Sequence, residues 1–569
     1  MDLVIERRAV SGNSVLNARL HPVLRRAYAA RGLQADAELS LTLDRLAPVS
    51  TLESVDAAVA LILEHRERRI LVVGDFDADG ATSTALMVRC LRAWGFPNVD
   101  FLVPNRFEFG YGLTPEIVGL ALERSPSLIV TVDNGISSIA GVAAARARGI
   151  DVLVTDHHLP GATLPDAQVI VNPNLPGSRF GSRALAGVGV AFYVMAAVRR
   201  ELDVRGTVVM PPVTDFLDLV ALGTVADLVP LDANNRVLVA QGIRRIRAGR
   251  AVPGIRALLQ IANRNVPSLT CADLGFAIGP RLNAAGRLDD MSIGIRCLLA
   301  DTDSEALALA SRLDALNVER REIETRMQVD ALAAIRSLRD PLISATRRGV
   351  CLFDEGWHQG VVGLVASRIK DRVRRPVIAF ARNGDGTLRG SARSVPGIHI
   401  RDVLDAVASR HPELISRFGG HAMAAGLSLE ECHLDAFSRA FDTEVARWTD
   451  PSIPSNRVET DGELANEEIA LETAQALRDG GPWGQAFPEP CFDGVFAVKN
   501  AKVVGEKHLK MWVTTHDAAR SFDAIAFNFK SADEKPALPE GDVRLVYRLD
   551  INEYKGERRL QLLVDHVLP

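Results

Sequence analysis

Three carboxylates, Asp75, Asp77 and Asp79, are crowded into the string GDFDADG, directly after the apolar run ILVV at 70–73. Alternate side chains of like charge repel, so the spacing calls for a cation between them. A calcium loop of the EF-hand type opens D-x-D-x-D-G and needs a bidentate Glu at its twelfth position; counted from Asp75, that position is Leu86. It also needs an entering helix, whereas ILVV reads as a buried strand. The calcium loop is excluded. Two further strand-like runs end in acid, LIVTVD at Asp133 and DVLVTDHH at Asp156, the latter continuing into His157 and His158. Ligands of open parallel sheets gather outside the carboxyl ends of the strands. That rule sets Asp75, Asp77, Asp79, Asp133, Asp156, His157 and His158 along one edge of one sheet. Asp227, in ALGTVADLVP, follows a run that is either helical or strand-like and could face the same crevice. Carboxylates and imidazoles without thiolates suit Mn²⁺ or Mg²⁺ better than zinc. More acids than one ion needs point to two ions, as in phosphoryl displacement. Taken singly, a strand-end Asp is often only a helix N-cap, and a lone His is more often structural than a ligand. The convergence carries the metal reading.

The elements that must position these groups are a βα series. From about residue 55 a helix leads to ILVVGD, a second helix runs through ATSTALMVRCLRAWG, and the strands VDFLVP, LIVTVD and DVLVTD alternate with further helices. This alternation implies a parallel sheet with right-handed crossovers. Residues 1–45 read as a helical lead-in and 46–302 as the metal-bearing α/β domain. Residues 303–340, free of Gly and Pro up to 338, read as a connecting helix. A smaller α/β domain spans 341–450, and DPSIPSN is a linker. Across 455–569 several short strands alternate apolar and polar residues, which suggests a small all-β barrel of the OB type. There Lys499, Lys502, Lys507 and Lys510 cluster with Trp512 and Phe522, the cationic groove and aromatic platforms by which such barrels hold single strands.

Composition narrows the class. A chain of 569 residues is too long for one core. Six cysteines lie far apart with no C-x-x-C pair, which excludes a thiolate zinc site and fits a reducing compartment. No stretch approaches the ~20 apolar residues of a membrane span, and MDLVIERRAV has no signal-peptide core; a cytoplasmic protein is expected. The net charge of −5 does not advertise nucleic-acid binding. Only eight lysines occur, so most cationic charge is arginine, the better fork for phosphate oxygens; a GC-rich genome would give the same bias.

The strings VVGDFDADGATSTAL, LVPNRFEFGYGL, TVDNGIS, TDHHLPG, LAGVGVAF, GTVADLVPLD, GPRLNAAGRLDD and GGHAMAAG closely resemble, in order, those of the DHH phosphoesterase superfamily. Within it they resemble the bacterial family of 5′-to-3′ single-strand DNA exonucleases, from about residue 70 to the C-terminus. The resemblance implies a DHH domain joined by the long helix to a smaller α/β DHHA1 domain, with the OB-fold-like domain following. It implies two divalent ions, Mn²⁺ or Mg²⁺, with Asp77, Asp79, Asp133, His157 and Asp227 as ligands and Asp133 bridging. Asp75 and His158 would serve catalysis, His158 at the scissile phosphate or orienting the ligand set. Some relatives carry His two residues before Asp75, where this chain has Val73. By the same matching, Arg106, Ser391 and Arg393 would hold the 5′-terminal phosphate. Gly419, Gly420 and His421 would cradle phosphate, the bland alternative being a glycine turn between a helix and a strand. Arg281 and Arg287 would line the strand path or pair with Asp289 and Asp290; Trp357 and His358 read as packing and capping residues. Lys502, Lys507, Lys510 and Trp512 would bind DNA. The implied partners are single-stranded DNA, a single-strand-binding protein and a helicase, acting with a monomer. A small-substrate phosphoesterase of the superfamily would need no third domain, and a non-catalytic DNA-binding scaffold should have lost part of the acid and histidine set.

Overall fold

Ile70, Leu71, Val72 and Val73 are wholly buried, as an unbroken apolar strand covered on both faces should be. They form β1 (Ile70–Gly74) of a parallel sheet with β2 (Val99–Leu102), β3 (Leu128–Val132), β4 (Asp151–Thr155) and β5 (Val169–Val171), in the order β2-β1-β3-β4-β5. Strand β5, only three residues long, is not expected from the sequence. The register pairs Gly74 with Val132 and Val132 with Thr155. The next residues of the three strands, Asp75, Asp133 and Asp156, therefore leave the sheet side by side. Helix α1 (Ala78–Ala93) follows β1 and is buried along most of its length against α2 (Gly187–Val204) and α3 (Leu217–Ala226). The ambiguous run before Asp227 is thus helical.

The computed structural model describes residues 3–10, 15–105, 109, 112–207, 210–337, 347–383, 386–448, 457–505, 507–515, 517, 520–527, 529, 538–554 and 557–568. Arg106 and the linker DPSIPSN lie outside the described residues. The chain divides into two compact units. One comprises 5–286, 290–313 and 459–569; the other comprises 314–458 with 1–4 and 287–289. Helix α4 (Gly279–Leu288) follows a short π-helical turn, Leu274–Ile278, and α5 (Asp303–Ser337) is the long helix expected from the sequence.

The second unit holds a mixed sheet of β6 (Val350–Phe353), β7 (Val377–Arg382), β8 (Thr387–Arg393), β9 (Arg417–Gly420) and β10 (Ala424–Glu430), ordered β9-β10-β8-β7-β6. One face packs on α7 (Ile400–Arg410) and α8 (Leu434–Trp448), with Leu388 and Ala392 of β8 in that core. Strand alternation turns Arg389, Ser391 and Arg393 to the opposite face, toward α6 (Val362–Val373). Trp357 is buried in the α6 core, and His358 accepts the Gly360 N–H at 3.1 Å.

In the first unit β11 (Phe492–Val504), β12 (His508–Thr515), β13 (Ser521–Ala526), β14 (Gly541–Tyr554) and β15 (Glu557–Leu568) form a closed barrel, ordered β11-β12-β13-β15-β14. The N-terminal lead-in is only partly helical: it holds a strand, Val4–Arg7, and one α-helix, Pro22–Ala29. It is pinned to the segment that precedes the barrel. The buried Arg31 guanidinium meets both oxygens of buried Asp461 at 2.7 and 3.0 Å, the Ala27 carbonyl at 2.6 Å and the Pro488 carbonyl at 2.7 Å. Its plane also lies over Trp483. Asp461 accepts the Cys491 N–H as well. Removing one partner of a buried pair leaves an uncompensated charge, which costs ~3–5 kcal/mol. Arg31→Ala should lower unfolding stability by an amount of that order in urea titration. Arg31→Lys should recover little of it, because one ammonium cannot serve four oxygens in two directions.

Candidate metal centre

Each acid of GDFDADG has a different local task. Asp77 caps α1, its Oδ1 accepting the Asp79 and Gly80 N–H groups at 3.0 Å each. The cap uses a single oxygen, so it does not compete with a ligand role for the other. Asp79, on the first turn of α1, lies against the N-terminus of α2: its Oδ2 accepts the Gly187 N–H at 2.6 Å and its Oδ1 the Val188 N–H at 2.9 Å. A helix N-terminus offers unpaired N–H groups and positive potential, which fixes a buried carboxylate. Asp75 accepts its neighbour Phe76 N–H at 2.7 Å.

Asp133 has φ +61°, a left-handed conformation that is costly for a residue with a Cβ. Its N–H still pairs with the Thr155 carbonyl at 3.1 Å. The turn of α2 opposite must be glycine: a Cβ on Gly187 would come 2.6 Å from Asp133 Cβ. On the other side, a Cβ on Gly223 of α3 would lie 2.8 Å from Asp79 Oδ1. Two helices thus approach the carboxylates at glycine distance.

His157 Nε2 lies 3.1 Å from Asp133 Oδ1 and 3.6 Å from Asp227 Oδ2. Asp75, Asp77 and Asp133 bring one oxygen each within 4.8 Å of one another, as do the ligand atoms of Asp79, His157 and Asp227, and those of Asp133, His157 and His158. Five of the six acids set on this edge from the sequence, and both histidines, therefore converge. Asp156 has another role. Its Oδ2 accepts the Ile136 N–H at 2.9 Å; its Oδ1 accepts the N–H groups of His157 and His158 at 2.7 and 3.0 Å and faces His158 Nδ1 at 2.8 Å. It holds the His158 imidazole from behind and fixes the backbone of both histidines.

The electrostatics follow from burial and crowding. Burial and then the charge of Asp77 push Asp79 up to about 7. Asp133 is driven well above the carboxylate range by burial and then by Asp79, Asp77, Asp227 and Asp75; Asp227 is driven up by burial and by Asp79, Asp77 and Asp75. Burial would raise Asp156 too, but its hydrogen bond to His158 and the charges of both imidazoles outweigh burial, and it lies below the usual value. Burial lowers His158, yet its bond to Asp156 and the neighbouring acids raise it to about 9. Buried carboxylates at this density are stable as anions only with cations among them. Oxygen-rich donors with one or two imidazoles and no thiolate fit Mn²⁺ or Mg²⁺.

The asparagines around the cluster carry no signal that sequence reasoning finds. Asn134 Nδ2 donates to the carbonyls of Val73 and Val132, tying the ends of β1 and β3; Asn172 and Asn174 donate to the carbonyls of His158 and His157. Asn283 of α4 accepts the Ala78 N–H at 2.8 Å. A Cβ on Gly286, also on α4, would strike the Phe76 carbonyl. The strings VDNG and GPRLNAAGRLDD contain three of these positions, but an Asn or Gly beside a strand end signals a turn before anything else.

Other predicted residues lie elsewhere. Arg281 donates to the Ala277 carbonyl at 2.6 Å and Arg287 to the Gly360 carbonyl at 3.2 Å. GGHAMAAG is a β-hairpin, β9 turning into β10 through His421, not a turn between a helix and a strand. Gly420 has φ +148° and only glycine fits, a Cβ there falling 2.6 Å from Ala425 Cβ. Register places Ser391, Gly426 and Gly419 in one row across the sheet, with Arg393 opposite Ala424. A Cβ on Gly419 or Gly426 would meet nothing, so this row has a bare floor. Arg393 donates to Ser391 Oγ at 3.0 Å, and both side chains crowd Gly363 at the start of α6. In the barrel, Lys502 pairs with Lys510, and Trp512 is half-exposed on the same outer face, with Lys507 exposed in the turn between β11 and β12. Lys510 also lies 3.5 Å from Asp523. Phe522, expected as a platform, is buried edge-on against Phe496 inside the barrel; Phe527, beside His508, is exposed instead.

With this geometry established, comparison with known proteins is specific. Residues 69–224 match the DHH family N-terminal domain, 346–447 the DHHA1 domain and 460–566 the RecJ OB domain. The chain is 53% identical to the single-stranded-DNA-specific exonuclease RecJ of Escherichia coli over 578 residues, covering 99% of each. It is 51% identical to the protein of that name from Haemophilus influenzae over the full length of both. Its fold is similar to the crystal structure of RecJ in complex with Mn²⁺ from Thermus thermophilus, with TM-score 0.78 and 31% identity over 97% of this chain and 76% of that one.

The raised carboxyls give a signed pH dependence. A carboxyl whose folded pKa is raised destabilises the metal-free fold progressively as pH climbs from its unfolded value near ~4 toward the folded one; for Asp79 that window closes at about 7. Divalent ions compete with those protons. The gain in Tm from 1 mM Mn²⁺ should therefore be several degrees larger at pH 8 than at pH 6, and Mn²⁺ binding at pH 6.5 should release protons in calorimetry across buffers. An equal gain at both pH values would contradict the assignment.

Proposed function

The chain belongs to the RecJ family of single-stranded-DNA-specific exonucleases, and from this premise we propose that it removes nucleotides from the 5′ end of single-stranded DNA by two-metal phosphodiester hydrolysis. The observation that carries the reading is the convergence of Asp75, Asp77, Asp79, Asp133, Asp227 and His157 at the level ends of adjacent parallel strands. Bound Mn²⁺ or Mg²⁺ supplies an activated water and neutralises charge developing on the phosphate oxygens. Asp75, Asp77 and Asp133 would hold one ion, and Asp79, His157 and Asp227 the other, with Asp133 shared because His157 Nε2 lies 3.1 Å from its Oδ1. His158, oriented by its contact with Asp156, would face the scissile phosphate with its second ring nitrogen.

Polarity rests on the second sheet. Ser391, Arg393 and the first turn of α6 surround a bare glycine floor made by Gly419 and Gly426, with His421 at its end. A hydroxyl, a guanidinium and helix N–H groups over an open floor suit a terminal phosphate dianion. Arg106 belongs to this proposal by its place in the motif alone. Lys502, Lys507, Lys510 and Trp512 offer the strand a cationic outer face of the barrel with one aromatic platform. The reading calls for a cytoplasmic monomer acting in DNA repair and recombination, fed by a helicase and a single-strand-binding protein. No single helix among the described residues is long and apolar enough to cross a membrane.

Asp133→Ala should abolish digestion of end-labelled single-stranded DNA in Mn²⁺, by at least a thousandfold, while circular dichroism stays unchanged. Near-normal activity in that variant would rule out the shared-ligand scheme. Losing one charge-assisted contact costs ~1.5–3 kcal/mol. Arg393→Ala should therefore reduce the preference for 5′-phosphorylated over 5′-hydroxyl strands by about ten- to a hundredfold, with Mn²⁺ affinity unchanged. Shortening of 3′ ends by the wild-type protein would overturn the polarity.

A further inference from the structure

His65 is wholly buried at the edge of the parallel sheet opposite the carboxylates, and both of its ring nitrogens are engaged. It ends the helix Val55–Glu64. Its Nδ1 lies 2.8 Å from the Oγ of Ser127, just before β3, and its Nε2 lies 3.0 Å from the Oδ2 of Asp151, at the start of β4. The links continue on either side. Ser127 Oγ lies 3.1 Å from the carbonyl oxygen of Arg69, just before β1. Asp151 Oδ1 accepts from the side-chain amide of Gln168, just before β5, and Gln168 Oε1 accepts the Val152 N–H at 2.6 Å. One row of side-chain hydrogen bonds thus crosses the starts of β1, β3, β4 and β5, with His65 as its central link. In a buried row of this kind each member fixes the next, and losing one leaves its neighbours unsatisfied.

The carboxylates leave β1, β3 and β4 at the other ends of the same strands, where Gly74, Val132 and Thr155 are level. Each of these strands has five residues, a rise of roughly 17 Å. An extended strand does not stretch, so sliding it along a neighbour shifts both of its ends together. Repulsion among Asp75, Asp133 and the acids around them favours such a slide, because a stagger lengthens the distances between the charges. The row at the strand starts opposes it. Any slide lengthens or bends the bonds of His65 to Ser127 and Asp151, and hydrogen bonds weaken steeply away from their preferred geometry. A two-ion centre in turn needs its ligands held to within about 0.5 Å.

We propose that His65 is a positioning residue of the metal centre: by tying Ser127 to Asp151 it keeps the starts of β3 and β4 level, and so keeps Asp133 and His157 in register for the ions. It acts through the strands and not by contact with ion or substrate. The inference rests on the metal-centre reading above.

The test is Mn²⁺ binding by isothermal titration calorimetry, with digestion of single-stranded DNA measured across Mn²⁺ concentrations alongside it. Contacts that act at a distance through a rigid element change binding by roughly three- to thirtyfold. His65→Ala and Asp151→Ala should each weaken Mn²⁺ binding by about tenfold. The Mn²⁺ concentration that half-saturates kcat should rise by the same factor, while KM for DNA stays unchanged and kcat at saturating Mn²⁺ returns close to the wild-type value. Asp151→Asn keeps an acceptor oxygen for the imidazole and should recover most of the affinity. Ser127→Ala removes one hydroxyl from a half-buried position and should give a smaller shift in the same direction; it carries the test if His65→Ala does not fold. Arg31→Ala, destabilised at the contact before the barrel, should bind Mn²⁺ as the wild type does. A lowered Tm with unaltered Mn²⁺ binding in the His65 and Ser127 variants would overturn the positioning role and leave the metal centre standing. An equal loss of affinity in Arg31→Ala would overturn it too, since lower stability alone would then weaken the ions. Failure of the wild-type protein to bind Mn²⁺ would overturn the metal-centre reading and this inference with it.

Discussion

Mutual repulsion among buried carboxylates is the constraint around which this molecule is organised. Five acids from β1, β3, α1 and α3 are brought together, and burial with mutual charge pushes three of them far from their ordinary ionisation. Left alone, such a cluster would open or take up protons. The surrounding structure holds it closed: the α2 N–H groups fix Asp79, the α1 cap fixes Asp77, and Asn134 ties the two strand ends that carry Asp75 and Asp133. The free energy needed to hold anions together this way becomes affinity for divalent cations.

The same constraint explains the glycines and the left-handed Asp133. Helices α2 and α3 must approach within van der Waals distance of carboxylate side chains, and only Gly187 and Gly223 allow it. Ionic matching is arranged differently at the periphery. Arg31 and Asp461 compensate each other in the buried contact between the N-terminal segment and the residues before the barrel, and that contact asks for no cation. A buried pair satisfied within the protein confers structure; an unmatched buried set confers ion binding.

Much of this is readable from the sequence because the acids terminate apolar runs. Strands expected from ILVV, LIVTV and DVLVT place three carboxylates on one edge, and the pairing of Gly74, Val132 and Thr155 is the physical form of that inference. Other features have no local signal. Asp156 sits on the same sheet edge as the other acids in the sequence reading, yet its task is visible only in the fold: it spends its oxygens on backbone and imidazole. In SFDAIAF the outward face mixes Ser521 and Asp523 with Ile525 and Phe527, so an aromatic residue occurs on each face, and Phe522 rather than the exposed Phe527 looks like the platform. Strand β5 is too short to show periodicity. The hairpin of GGHAMAAG depends on pairing with β8, a contact that no window of sequence contains.

The central claim is that the cluster holds two divalent ions. Anomalous diffraction from crystals grown with Mn²⁺, recorded at the manganese absorption edge, tests it without reference to activity. The account predicts two peaks ~3.5–4 Å apart, one among Asp75, Asp77 and Asp133 and the other among Asp79, His157 and Asp227. A single peak, or peaks away from these side chains in a fully loaded crystal, would contradict it.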